Sequence, residues 1–293
     1  MKKRSISGND IIIYGILAIM ALLCILPIIN ILALSFSSAK AIDAGKVGLW
    51  PVDFTLSTYK TLIEGTSIGR SFINSIIITV IGTILNMIGT ILAAYPLSRS
   101  YFWGRKIFTK LAVFTMLFGG GMIPTYLVVY KLGMIDSYGS LWFTGLISTY
   151  NMLVMRSFFD SIPYELSESA EIDGASEWQM LIRIYIPLSK PVMATLVLFY
   201  GVSHWNSFMD VMLYINSPEK LNLSVFVQQM IQSQQALKQL GNIGGLTAAD
   251  MASVTSTGVK SAAVFIMIVP MLCIYPFIQK YFVKGIMLGA VKG

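Results

Sequence analysis

Phe72 to Leu97 reads FINSIIITVIGTILNMIGTILAAYPL, 26 consecutive residues without an Asp, Glu, Lys or Arg. A membrane hydrocarbon core about 30 Å thick is crossed by roughly 20 apolar residues in a helix, a conformation that satisfies its own backbone polar groups without water. The stretch therefore reads as a transmembrane helix. Five others of similar character accompany it, at 11–34, 107–130, 140–159, 191–215 and 261–283. The expected fold is an all-α polytopic membrane helical bundle of six transmembrane helices, a single transmembrane domain over 1–293.

Composition agrees: 55% of the 293 residues are hydrophobic and 12% charged, where soluble domains carry about 25% charged residues. The opening Met1-Lys2-Lys3-Arg4 and the run 11–34 resemble a signal peptide, but the apolar core is too long and lacks a small-residue cleavage site. It reads as a retained first span. The net charge of +7 does not point to nucleic acid, because the basic residues are scattered between apolar runs. Cys24 and Cys273 lie in separate apolar stretches and read as small packing residues, not a disulfide or metal pair.

An even number of spans puts both termini on one side. If that side is the cytoplasm, the inner segments hold Lys2, Lys3, Arg4, Arg99, Arg105, Lys106, Lys110, Arg156, Arg183, Lys190, Lys280, Lys284 and Lys292, which is 13 of the 21 basic residues. Loops on the other side are longer and poorer in Lys and Arg, as the positive-inside rule expects. Both termini are thus expected in the cytoplasm. Pro27, Pro96, Pro124 and Pro270 predict kinked spans. Gly82, Gly89, Ala93 and Gly119-Gly120-Gly121 read as small residues that let helices approach closely.

Between the fourth and fifth spans runs SIPYELSESAEIDGASEWQMLIRIYIPLSKP, from Ser161 to Pro191. Pro163 suits the first position of a helix and Glu165 its positive N-terminal end. Asp173-Gly174 predicts a turn, and Ser176 with Gln179 a capping box that restarts a helix. Trp178, Leu181, Ile182 and Tyr185 then recur at helical spacing as one apolar stripe. Pro187 and Pro191 should end this second helix. Five of the chain's 14 acidic residues, Glu165, Glu168, Glu171, Asp173 and Glu177, fall here. An acidic patch with an apolar stripe, on the side that topology makes basic, suits a basic partner protein better than a solvated loop.

Glu168-Ser169-Ala170, Gly174 and Ile184-Tyr185-Ile186-Pro187 resemble the EAA loop, E-A-A-x3-G-x9-I-x-L-P, of permease subunits in binding-protein-dependent ABC importers. Ser169 stands for an Ala and Ile186 for the Leu; every anchor keeps its spacing. The resemblance extends to carbohydrate importers of the maltose-transporter type through Asn74-Ser75, Arg99 to Lys106, Ile162-Pro163, Asp173-Gly174-Ala175, Trp205-Asn206 and the ending Gly285 to Gly293. It implies a multi-pass protein of the bacterial cytoplasmic (inner) membrane. It also implies three partners: a second homologous permease subunit, an ATPase subunit dimer and an extracytoplasmic solute-binding protein. Membrane lipid surrounds such a protein, and nucleic acid plays no part. Segment 161–187 becomes an ATPase-coupling loop, with Glu168 facing a basic residue of the ATPase and the Trp178 stripe as anchor. The coupling set is Glu168, Ser169, Ala170, Asp173, Gly174, Trp178, Leu181, Ile182, Tyr185 and Pro187. The tail from Gly285 would reach between the ATPases, and 216–260 would face the binding protein. The chain carries no G-x4-G-K-[ST] phosphate loop, so it reads as a transport subunit without catalytic residues or a cofactor of its own. ATP and Mg belong to the partner subunits.

His204, the chain's single histidine, stands with Trp205, Asn206 and Asp210 in the fifth apolar segment. Polar groups there suit a substrate path, with the aromatic stacking on a sugar and the amide reading hydroxyls, or else hydrogen bonding between helices. A metal site is not expected from one histidine. Within the family the chain resembles importers of oligosaccharides released from polysaccharides, including acidic ones such as alginate. The spans hold almost no cations, so neutral and acidic sugars stay open. An ABC permease for a non-sugar solute is the alternative. A secondary transporter would need intramembrane carboxylates beyond Asp210, and a membrane hydrolase would need a nucleophile and base beside His204.

Overall fold

The computed structural model describes residues 8–241 and 255–290. Its helices are α1 (Gly8–Ser35), α2 (Ala39–Asp43), α3 (Ser57–Gly65), α4 (Ile68–Ser98), α5 (Arg105–Leu117), α6 (Met122–Lys131), α7 (Tyr138–Phe143), α8 (Thr149–Asp160), α9 (Tyr164–Ile172), α10 (Glu177–Met180), α11 (Ile186–Leu188), α12 (Lys190–Trp205), α13 (Met209–Tyr214), α14 (Leu223–Gly241) and α15 (Ser256–Ala290). A π-helical turn, Leu181–Tyr185, joins α10 to α11. Three described helices contain stretches long and apolar enough to cross a membrane, Ile12–Ser35, Ile68–Ser98 and Thr257–Ile274, and two bent pairs raise the number to five. This is an all-helical polytopic membrane protein among the described residues.

Contacts group the chain into two compact units, one of 1–69 with 227–270 and one of 70–226 with 271–293. In the first, α1 exposes Ile12, Ile16, Leu17, Ile19 and Leu23, an apolar surface suited to lipid. Phe36 stacks on Phe54 and meets Tyr59, whose hydroxyl donates to Ser35 at 2.8 Å. Cys24 and Cys273, read as packing residues, are both exposed free thiols. Residues 1–7, which hold Lys2, Lys3 and Arg4, the middle of the expected binding-protein segment (242–254) and the last three residues of the expected tail lie outside the described residues.

In the second unit α4 is the spine. Met87, Ile91, Ala94 and Tyr95 pack toward one end against Met155 and Phe159 of α8, Leu181 and Tyr185, and Leu196 and Tyr200 of α12. Toward the other end Ile78 packs with Val129, Leu141, Val211 and Tyr214. Its 31 residues rise about 46 Å at 1.5 Å each. The helix is therefore longer than the roughly 30 Å of a hydrocarbon layer.

Three expected spans are broken, one of them, 191–215, into α12 and α13 at residues 206–208. The span at 107–130 is α5 and α6, bent by 115°. The break is the glycine run, with Gly121 at φ 83°, a conformation open to Gly at little cost. The run thus acts as a hinge and not as a packing surface. Pro124 sits in the first turn of α6, where an N–H has no helical partner to lose. The span at 140–159 is α7 and α8, separated by Thr144 to Ser148. The second coupling helix does not end at Pro187: it widens into the π turn, where Ile186 N–H donates to Leu181, and runs to Leu188 before an 82° bend. A proline has no N–H to offer a regular turn, and the wider turn absorbs that gap.

Asp136 fastens the far end. At φ 58° its carboxylate accepts from the N–H groups of Asn216 (3.1 Å) and Ser217 (2.9 Å), the Ser217 hydroxyl (2.6 Å) and the Lys220 ammonium (2.9 Å). Those hydrogen bonds, led by Ser217, hold its carboxyl well below the usual carboxylate range. A depressed folded value means the contribution is complete above the unfolded pKa of about 3.9 and is lost only as pH falls through the folded value. Asp136→Asn should therefore lower the thermal midpoint of the detergent-solubilised chain by a constant amount from pH 8 to 5, with the gap closing below about pH 4. A gap that widens on acidification would contradict this assignment.

Candidate functional site

Segment 161–187 contains both short helices and the turn between them. Gly174 has φ 77°, and Ser176 and Gln179 cap one another reciprocally. Glu168, Ser169, Asp173, Gly174 and Pro187 are exposed, and Ala170 is half-buried. The apolar stripe divides into two adjacent helical rows. Trp178 and Ile182 are 62% and 58% exposed, whereas Leu181 and Tyr185 are 3% and 2% exposed. Leu181 and Tyr185 therefore belong to the chain's own core and are corrected from docking anchors to internal packing. Ile172, 81% exposed, joins the outward face and was missed because it precedes the turn and breaks the stripe's spacing.

What holds this segment is Arg99, at the end of α4. Its guanidinium is buried over the rings of Tyr95 and Tyr185, 4.6 and 4.1 Å from their centroids. It donates to the hydroxyls of Tyr95 (2.6 Å), Ser167 (3.3 Å) and Tyr185. Glu177 lies 4.0 Å from its Nε and accepts from the Tyr95 hydroxyl at 2.7 Å and from the Tyr101 hydroxyl. One planar cation thus ties α4 to α9, α10 and the π turn, a task suited to a fork of fixed donors. In the sequence Arg99 reads as one more basic residue after a span; nothing in the pattern marks it as buried.

A second centre lies farther along α4. A cavity of about 460 Å3 is lined by Asn86, Ser148, Asn151, Tyr200, His204 and Asp210 among others. Asn86 donates both amide hydrogens, to the carbonyls of Gly145 and Leu146 at 2.8 Å each, and its Oδ1 lies 2.5 Å from His204 Nε2. Those carbonyls are the ones left free where α7 and α8 separate. Tyr200 bonds Thr90 at 2.7 Å and accepts from Ser148 N–H at 3.2 Å. Gly82 makes room for the histidine: a Cβ there would lie 2.5 Å from His204 Nε2. Of the expected path residues, His204 and Asp210 reach this cavity. Trp205 is buried edge-on against Phe72 and lines a separate apolar cleft, and Asn206 bonds Val202 of its own helix. Trp205 and Asn206 therefore lie outside the lining of this cavity. The wall is built by hydroxyls and amides scattered over four helices, a set with no signature in the sequence.

The profile of the family described as "Binding-protein-dependent transport system inner membrane component" matches residues 9–288. The chain is 39% identical to the polygalacturonan/rhamnogalacturonan transport system permease protein of Bacillus subtilis, over 97% of this chain and 98% of that one. It is 40% identical to Protein LplC of the same organism, over 92% of this chain and 90% of that one. Among solved structures it resembles a chain of a bacterial ABC transporter involved in the import of the acidic polysaccharide alginate, with TM-score 0.85 and 32% identity over 96% of this chain and 99% of that one.

Gly82→Ala should push His204 off Asn86 and cost about 1–3 kcal/mol by overpacking; unchanged thermal stability would show the wall to be soft. Arg99→Lys keeps the charge but loses the fork. Amide exchange over 164–188 should then quicken by about tenfold or more while the middle of α4 stays protected. Equal protection in both proteins would remove Arg99 as the clamp.

Proposed function

This chain belongs to the binding-protein-dependent transport system inner membrane component family and is the permease component of a sugar or oligosaccharide importer, and we propose that its cargo is an oligosaccharide containing uronic acid residues. The observation that carries the cargo is 39% identity to a polygalacturonan/rhamnogalacturonan permease across 97% of this chain. The alginate-transporter relative, also concerned with a polymer of acidic sugars, supports the same class. The cavity of Asn86, Ser148, Tyr200 and His204 serves as the hydroxyl-reading part of the path. Its lining residues include no Lys or Arg, so recognition of the carboxylates falls to a solute-binding protein.

The proposal extends to the assembly. Six spans cross the membrane, with both termini in the cytoplasm, and a second permease subunit completes the pore. An ATPase dimer that binds ATP and Mg docks on the face of Glu168, Glu171, Ile172, Trp178 and Ile182. Acidic groups around an exposed tryptophan suit a groove with basic walls, as a helix-in-groove contact. Arg99 then passes motion of this face to α4 and so to the cavity wall.

The test is uptake in proteoliposomes holding the permease pair, ATPase and binding protein. Labelled galacturonate or alginate oligomers should enter on ATP addition while a maltodextrin does not; uptake of the maltodextrin alone would overturn the cargo assignment. Glu168→Lys should abolish co-purification of the ATPase, since a like charge at a desolvated contact costs several kcal/mol. Gly174→Val should strain the turn by about 1 kcal/mol or more and reduce transport several-fold without loss of membrane insertion. Wild-type behaviour of both variants would remove the coupling role.

A further inference from the structure

A basic recess lies beside the coupling segment and serves none of the functions above. It encloses about 650 Å3 between the loop after α4, the first turns of α5 and the end of α8. Its lining includes Ser100, Trp103, Arg105, Lys106, Thr109, Lys110 and Arg156. Four cations stand against one nearby carboxylate, Asp160, which pairs with Arg105 at 3.1 Å and Arg156 at 3.5 Å. That leaves a local excess of three positive charges. Lys106 and Lys110, one helical turn apart, pair with no acidic group among the described residues, and both are exposed. Arg156 donates to the Thr109 hydroxyl at 2.8 Å, while its buried Nε faces Asp160 at 3.5 Å as an ion pair without a hydrogen bond. The recess thus offers guanidinium groups at its wall and two exposed ammonium groups at its mouth.

Its surroundings are those of a membrane interface. Trp103 is almost wholly exposed at the rim, where an indole suits the boundary between headgroups and hydrocarbon. Among and beyond these cations, α5 presents Ile107, Phe108, Leu111 and Phe114 outward, an apolar strip that runs alongside Lys106 and Lys110. A soluble anion would use the cations and leave the strip idle. A ligand with an anionic head and hydrocarbon tails uses both.

We infer that this recess binds the phosphodiester headgroup of an anionic phospholipid, with Arg105, Lys106, Lys110 and Arg156 holding the phosphate and the α5 strip carrying the acyl chains. Basic recesses at the cytoplasmic ends of transmembrane helices fit such headgroups, and this one rests on the membrane orientation proposed above but not on the cargo. Asp160 immediately precedes the coupling segment, so a bound lipid would brace the base from which α9 departs.

The test uses the full permease purified with its co-expressed partner subunits, in nanodiscs of phosphatidylcholine with increasing phosphatidylglycerol or cardiolipin. Native mass spectrometry should show one or more anionic lipids retained on the wild-type permease. Lys106→Gln with Lys110→Gln should lower that retention at least fivefold without changing phosphatidylcholine carry-over. Equal retention by the double variant would overturn the site. A third arm adds inorganic phosphate to lipid-depleted protein in detergent: a thermal shift as large as that given by phosphatidylglycerol would overturn the lipid assignment in favour of a free anion, and a negligible shift supports it.

Discussion

A helix that breaks inside a membrane leaves backbone carbonyls where no water can reach them, and each uncompensated group costs several kcal/mol. In the second unit the interruption between α7 and α8 leaves two carbonyls outside any helix, and one side chain takes both. Asn86 gives both amide hydrogens to the carbonyls of Gly145 and Leu146 and offers its oxygen to His204. The break between α7 and α8 is therefore held to α4 and α12 by Asn86, with Tyr200 adding a second tie through Ser148 N–H and Thr90. Without Asn86 the carbonyls of Gly145 and Leu146 would lose these donors, and the cavity one of its polar lining residues. Gly82 is part of the same arrangement, since only the absence of a Cβ lets the imidazole lie against α4.

Arg99 does for the other end of α4 what Asn86 does for its middle. It too is one planar group with several fixed donors, and it gathers Ser167 of α9, Glu177 of α10 and Tyr185 of the π turn onto the end of α4. The two anchors are 13 positions apart, about 20 Å along a helix. The helix between them is packed against α8 and α12 by Met87, Ile91, Ala94 and Tyr95. The segment of 161–187 and the cavity wall are thus both fastened to one continuous helix.

The sequence shows most of this fold because hydrophobic run length and turn chemistry are local. Phe72 to Leu97 falls inside α4, and Asp173-Gly174 with Ser176 and Gln179 sets the coupling turn. What it conceals is orientation. Trp178 and Ile182 cannot be told from Leu181 and Tyr185 by spacing, because the two rows lie side by side on one helix and only the neighbouring α4 and α8 decide which is covered. Asn86 and Arg99 are hidden for a related reason. A polar residue within or just after an apolar run fits equally well with lipid-interface exposure or burial, and its partners lie tens of residues away. Trp205 shows the same limit, since an aromatic beside His204 and Asn206 suits a stacking site or an internal contact equally, and only the fold turns it onto Phe72.

The chemistry of the cavity suits passage more than capture. Its lining combines amides, hydroxyls, an imidazole and the carboxylate of Asp210. Hydrogen bonds of neutral groups contribute about 1 kcal/mol each after the exchange with water. Several together can orient a sugar without holding it. A fixed cation would do the reverse for a uronate, because in a dry path the pair would be strong enough to stall release. A conducting path has to bind well enough to admit its cargo and weakly enough to let it leave. On that requirement a cavity without cations accords with an acidic cargo, provided that selectivity is exercised before the sugar enters the membrane.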